Sequence, residues 1–130
     1  WIGLDFQDRA ALYRRIDARV EAMLEQGLLD EVRALLARGV PPEATCLQAI
    51  GYKELLAYLA GRCPLSEAVA DIQRESRRYA KRQLTWFRRN PAIHWIRQSD
   101  APDGAAVLRE ALDFASSLGF SRVGADAGRI

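Results

Sequence analysis

From Asp8 onward, apolar residues return every three or four positions. Leu12, Ile16, Val20, Met23 and Leu24 recur at helical spacing, with Asp8 placed to cap the start and Gly27 to stop the run. A second helix is predicted over about 28–38, ended by Gly39 and by Pro41-Pro42, which cannot continue a helix. A third is predicted over about 47–59 and closed by Gly61. Gly51 inside it costs about 1 kcal/mol against alanine, which implies close approach of a backbone or ligand, or a tight helix crossing. A long helix starts near Pro64 or Ser66 and ends at Asn90-Pro91, where Asn suits the left-handed position after a helix. A last amphipathic helix, about 105–118, is expected to bury Val107, Leu108, Ala111, Leu112 and Ala115.

Two segments alternate instead. Residues 1–6 and 93–97 read as short strands, and a two-stranded sheet is hardly stable alone. The fold class is therefore mainly α, a helical fragment with two short strands that look like pieces of a larger sheet. The chain opens on Trp1 and its single methionine is Met23, so it is expected to be part of a longer protein. The organisation expected is a helical part over 1–99, a terminal helix over 100–118 and a flexible tail over 119–130.

Charge sharpens the picture at one place. In the long helix, Arg74, Arg77, Arg78, Lys81, Arg82, Arg88 and Arg89 stand against Glu75 as the one acid of residues 74–89. At 100° per residue the cations fall within an arc of about 140°, with Val69, Ile72, Tyr79, Ala80, Trp86 and Phe87 on the opposite half. A solvated helix face explains most charge runs, but such faces mix signs, and like charges one turn apart cost stability unless something neutralises them. A phosphate backbone is the natural counter-surface. Trp86 shares the side of Ile72 and Tyr79 and is expected to pack in the core. The net charge of +2 over 130 residues makes the basic character local.

Other chemistry is sparse. Arg19 lies about 20° round the first helix from apolar Leu12, and a cation there has either an acid such as Asp8, Asp17 or Glu21 as partner, or a phosphate. The residues alone favour the acid. Asp30-Glu31 and Asp100 with Asp103 sit where helix N-termini attract acids, with no His or Cys beside them to complete a nucleophile and base. Cys46, Cys63 and His94 have no zinc-site spacing, so no metal ligands are expected. GxxxxGK[ST] is absent from the chain. There is no apolar run of about 18 residues and no signal peptide pattern, so the chain reads as cytoplasmic, with no membrane partner. These features describe half of a site: groups that grip phosphate, without a general base.

Four blocks then carry a resemblance: Arg9 to Val20 (RAALYRRIDARV), Met23 to Leu28 (MLEQGL), Ala49 to Leu55 (AIGYKEL) and Arg78 to Arg88 (RYAKRQLTWFR). In that order they closely resemble the C-terminal part of bacterial tRNA dimethylallyltransferases, also called tRNA isopentenyltransferases. The likeness runs from about Ile2 to Ile96, and nothing beyond Ser99 is diagnostic. Gln48 stands where some members have arginine, and Pro64 where some have a capping serine.

The resemblance implies transfer of a dimethylallyl group from dimethylallyl diphosphate to N6 of the adenosine just 3′ of the anticodon in tRNA. It implies a P-loop-like, nucleotide-binding core elsewhere in the enzyme, Mg²⁺ at the diphosphate with ligands outside this chain, and a monomer whose macromolecular partner is the anticodon stem-loop. By likeness Arg19 is the arginine that contacts the diphosphate, reversing the preference for an acid. Gln48, Ala49, Ile50, Gly51, Tyr52 and Lys53, with Lys81, Arg82, Gln83, Leu84, Thr85, Trp86, Phe87 and Arg88, match segments that contact tRNA. This part alone is expected to be inactive. A stand-alone helical RNA-binding module and a basic protein-interaction bundle are the competing readings.

Overall fold

The computed structural model describes residues 1–99, 101 and 103–120, so all but the first two residues of the tail expected over 119–130 lie outside the described residues. The order is β1 (Ile2–Phe6), α1 (Arg9–Glu25), α2 (Leu28–Ala37), a 3-10 turn (Thr45–Gln48), α3 (Tyr52–Leu59), α4 (Leu65–Phe87), β2 (His94–Gln98) and α5 (Gly104–Ser117). The chain divides into two compact units, one of residues 12–87 and one joining residues 1–11 to those from Arg88 onward.

The first unit is helical. Its core is Val20, Val32, Leu47, Leu55, Leu56 and Ile72, with Met23, Leu24, Leu28 and Val69 among the half-buried residues packed around it. The period that predicts the helices thus also selects the core, as an apolar stripe on each helix must. The stretch expected as one helix over 47–59 is split, with the 3-10 turn followed by a break at Ala49–Gly51 and then α3. Gly51 causes the break. It has φ 103° and ψ −51°, and a Cβ there would meet only Leu28 Cδ2 at 3.7 Å, so the backbone conformation requires the glycine and a tight helix crossing does not.

In the second unit β1 and β2 pair with each other in parallel, Ile2 opposite His94 and Leu4 opposite Ile96. Trp95 lies across Gly3 so closely that a Cβ on Gly3 would come within 2.7 Å of its ring. Asp103 caps α5, accepting from the N–H groups of Ala105 and Ala106. Two expectations are corrected here. Leu108 is 59% exposed and α5 has no fully buried residue, because α5 packs on β2 in a sheet only two strands wide. The long helix stops at Phe87, and Asn90 is not left-handed; its Oδ1 instead accepts from the N–H of Ala92 at 2.9 Å, a local turn that competes with helix continuation.

Candidate nucleic-acid interface

Helix α4 has 23 residues and is about 34 Å long at 1.5 Å per residue, whereas α3 has 8 and spans about 12 Å. The two pack together across the connection at 60–64, so α3 covers only part of its longer neighbour. Ala68 and Ile72, in the first half of α4, are buried. Further along the same side Tyr79 is 49% and Trp86 64% exposed. The expectation that Trp86 packs in the core is therefore corrected: the helix outruns its partner. Trp86 meets Phe87 edge-on at 4.9 Å between ring centres, and the guanidinium of Arg82 lies 5.7 Å from the centre of the Tyr79 ring.

The basic stripe is also less bare than its sequence. Arg74 pairs with Asp71 at 2.6 Å, Arg78 with Glu75 at 2.8 Å, and Arg77 with Asp17 of α1 at 2.5 Å. Tertiary and same-helix carboxylates thus supply much of the neutralisation that the run lacks locally. In the other unit Arg88 Nη2 contacts Asp5 Oδ2 at 2.5 Å. Asp5 is a strand residue only 8% exposed, whose Oδ1 accepts from the N–H of Phe6. Among the described residues Lys81, Arg82 and Arg89 have no carboxylate partner, and Lys81, Arg82 and Gln83 are exposed. Thr85 is exposed but its hydroxyl donates to the Lys81 carbonyl, Leu84 and Phe87 are half-buried, and the helix ends before Arg88.

The segment around Gly51 is a hydrogen-bonded junction between the 3-10 turn and α3. The N–H of Gly51 donates to buried Glu54 Oε2 at 2.8 Å, closing the first turn of α3, and Lys53 lies 3.5 Å from Glu54 Oε1. Tyr52 Oη donates to Glu31 Oε1 of α2 at 2.7 Å, and that bond, with burial and the Glu31 charge, pushes the phenol above its ordinary value. Gln48 donates from its amide to the Pro42 carbonyl, Ala49 is exposed and Ile50 half-buried. Gln48 and Lys53 share the rim of an open groove with Arg62, floored by Leu36, Leu56 and Leu59. The ligands of the junction, Glu54 and Glu31, are what sequence reasoning missed; Glu54 three residues after Gly51 was the visible signal.

Arg19 is exposed on α1 and, among the described residues, pairs with none of the acids considered for it. Asp17 is engaged by Arg77, and Arg19 sits about 200° further round α1, turned away from that contact. The structure therefore groups Gln48 with Lys53, and Tyr79 with Arg82 and Trp86, while Arg19 stands apart. No cluster of three or more His, Cys, Asp or Glu that could hold a metal ion occurs among the described residues. No described helix is long and apolar enough to cross a membrane.

Comparison with known proteins places these features. The family described as IPP transferase matches residues 1–90. The chain is 51% identical over 107 residues to tRNA dimethylallyltransferase 1 of Citrifermentans bemidjiense, covering 82% of this chain and 34% of that protein. It is 56% identical over 89 residues to the tRNA dimethylallyltransferase of Carboxydothermus hydrogenoformans, covering 68% of this chain and 28% of the relative. The crystal structure of the full-length tRNA isopentenylpyrophosphate transferase of Bacillus halodurans superimposes with a TM-score of 0.82 at 44% identity, over 89% of this chain and 37% of that one. The chain spans about a third of the length of these relatives. Matched by the family model over residues 1–90 and half identical to these relatives over most of its length, this chain belongs to the IPP transferase family.

Proposed function

We propose that this chain is the C-terminal part of a monomeric, cytoplasmic tRNA dimethylallyltransferase, binding the anticodon stem-loop and lending one arginine to the diphosphate of dimethylallyl diphosphate. The observation that carries the reading is Arg19: an exposed guanidinium left without a partner among the described residues, although Asp17 stands two positions away. A group of this kind suits an anion that arrives with the substrate.

The reaction would be a displacement at the allylic carbon. N6 of the adenosine adjacent to the anticodon attacks that carbon, the carbon–oxygen bond breaks, and diphosphate departs with the electron pair. A carboxylate contributed from outside this chain takes the N6 proton, and the P-loop and Mg²⁺ ligands lie with it. Mg²⁺, when bound, supplies charge to the diphosphate. Arg19 contributes a charge-assisted hydrogen bond whose strength grows as negative charge develops on the leaving oxygen. The base must leave its stack for N6 to be reached, which the exposed face of α4 favours by gripping the loop around it.

Arg19→Ala in the intact enzyme tests this. Loss of one such contact costs about 2 to 4 kcal/mol of transition-state stabilisation, so kcat should fall on the order of 30- to 1,000-fold while tRNA affinity stays within about twofold. Unchanged kcat with weakened tRNA binding would put Arg19 on the RNA and remove it from the chemistry.

A further inference from the structure

The far half of α4 presents two aromatic rings to solvent on one side of a helix. Tyr79 and Trp86 are seven residues apart, so they differ by only about 20° around the axis and stand about 10.5 Å apart along it. Both are exposed, and Ile72, on the same side about two turns before Tyr79, is buried. Arg82 and Gln83 lie between them in sequence, about 40–60° to either side of the aromatic line, and both are exposed. Arg82 already sits over the Tyr79 ring.

We propose that Tyr79 and Trp86 are a pair of stacking platforms for two unpaired bases of an RNA loop, flanked by Arg82 as phosphate or cation–π partner and by Gln83 as a reader of base edges. The inference rests on the reading that α4 meets RNA, and adds to it a mode of contact and a residue, Tyr79, outside the Lys81–Arg88 segment. Charge selects the occupant. Arg82 and Lys81 have no carboxylate partner among the described residues, so covering this face with an apolar protein surface would strand two cations, whereas a polyanion neutralises them. A paired helix would not use the rings, because its bases are already stacked; splayed loop bases would. The spacing of about 10.5 Å, some three times the 3.4 Å rise per nucleotide, means that one base cannot reach both rings. The two platforms therefore take bases separated by intervening nucleotides, whose phosphates face Arg82.

The experiment uses the intact protein with an anticodon stem-loop RNA and, as control, a fully paired RNA duplex of the same length. Tyr79→Leu and Trp86→Leu keep a helix-compatible apolar side chain and remove the ring; Tyr79→Phe keeps the ring and removes the hydroxyl. Each Leu variant should weaken stem-loop binding by about 5- to 150-fold, leave duplex binding and the dependence of log K on log salt unchanged, and melt with the wild type. Tyr79→Phe should bind as wild type. Leu variants that bind the stem-loop normally but melt earlier would show that this face is covered by protein, and overturn the proposal while leaving α4 on RNA. If Lys81→Gln and Arg82→Gln also left binding and its salt slope untouched, the RNA reading itself would fail, and the stacking proposal with it.

Discussion

Arg88→Gln separates charge that holds the fold from charge that holds RNA. Arg88 is 54% exposed at its side chain, while its partner Asp5 is nearly buried on β1. An exposed ion pair contributes about 0.2–1 kcal/mol, and removing one member of a fully buried pair costs about 3–5 kcal/mol. With one partner buried and the other half in water, and with Asp5 keeping its 2.8 Å bond from the Phe6 N–H, the cost should fall between these limits, at about 1–2 kcal/mol. Denaturant unfolding of the intact protein measures it, and a cycle with Asp5→Asn isolates the coupling, since the double variant strands no charge. The RNA side predicts a contrast. Lys81, with no acid to compensate it, should on replacement by Gln flatten the slope of log K against log salt by about 0.7–0.9 with little loss of stability. Arg88→Gln should flatten it less, because its charge is already shared with Asp5. Arg88→Gln that unfolds with the wild type and flattens the slope as much as Lys81→Gln would refute the reasoning, and place Arg88 on the RNA backbone outright.

Gly51→Ala forces an L-residue to φ 103° and ψ −51° where space is ample, so the cost is purely conformational, about 1–3 kcal/mol, and a thermal melt that does not move would contradict it. Tyr52→Phe removes the bond to Glu31. Because the phenol is raised above the ordinary tyrosine value of about 10, this bond supports the fold at neutral pH and is lost as pH climbs through the raised value; the stability gap between wild type and variant should therefore close only above about pH 10. A gap that closed near neutrality would assign it to another group. The chain by itself, given tRNA, dimethylallyl diphosphate and Mg²⁺, should show no prenyl transfer, since its sequence has no GxxxxGK[ST] loop to cradle the diphosphate; measurable turnover would end the half-site reading.

The sequence by itself determined that the chain is mainly helical, which stretches carry the helices, and the family. Helical periodicity is a local property of a chain folded on its own hydrogen bonds, so Val20 and Ile72 could be assigned inward before any partner was known. The four motif blocks are equally local, which is why the family could be read from them. Tertiary structure decided what depends on relative length and on distant charge. Nothing in the spacing of Trp86 distinguishes it from Ile72, yet one is exposed and the other buried, because the short α3 ends before it reaches the far half of α4. The cations of residues 74–89 look alike in sequence. Asp17 and Asp5, 60 and 83 residues away, engage Arg77 and Arg88 and leave Lys81 and Arg82 for a partner. Gly51 shows both limits: its residue type announced an unusual backbone, and only the dihedral angles showed that it ends one turn and begins the next helix. Side-chain period is fixed within a few residues of the chain, whereas exposure and ion pairing are fixed by whichever distant segment arrives opposite.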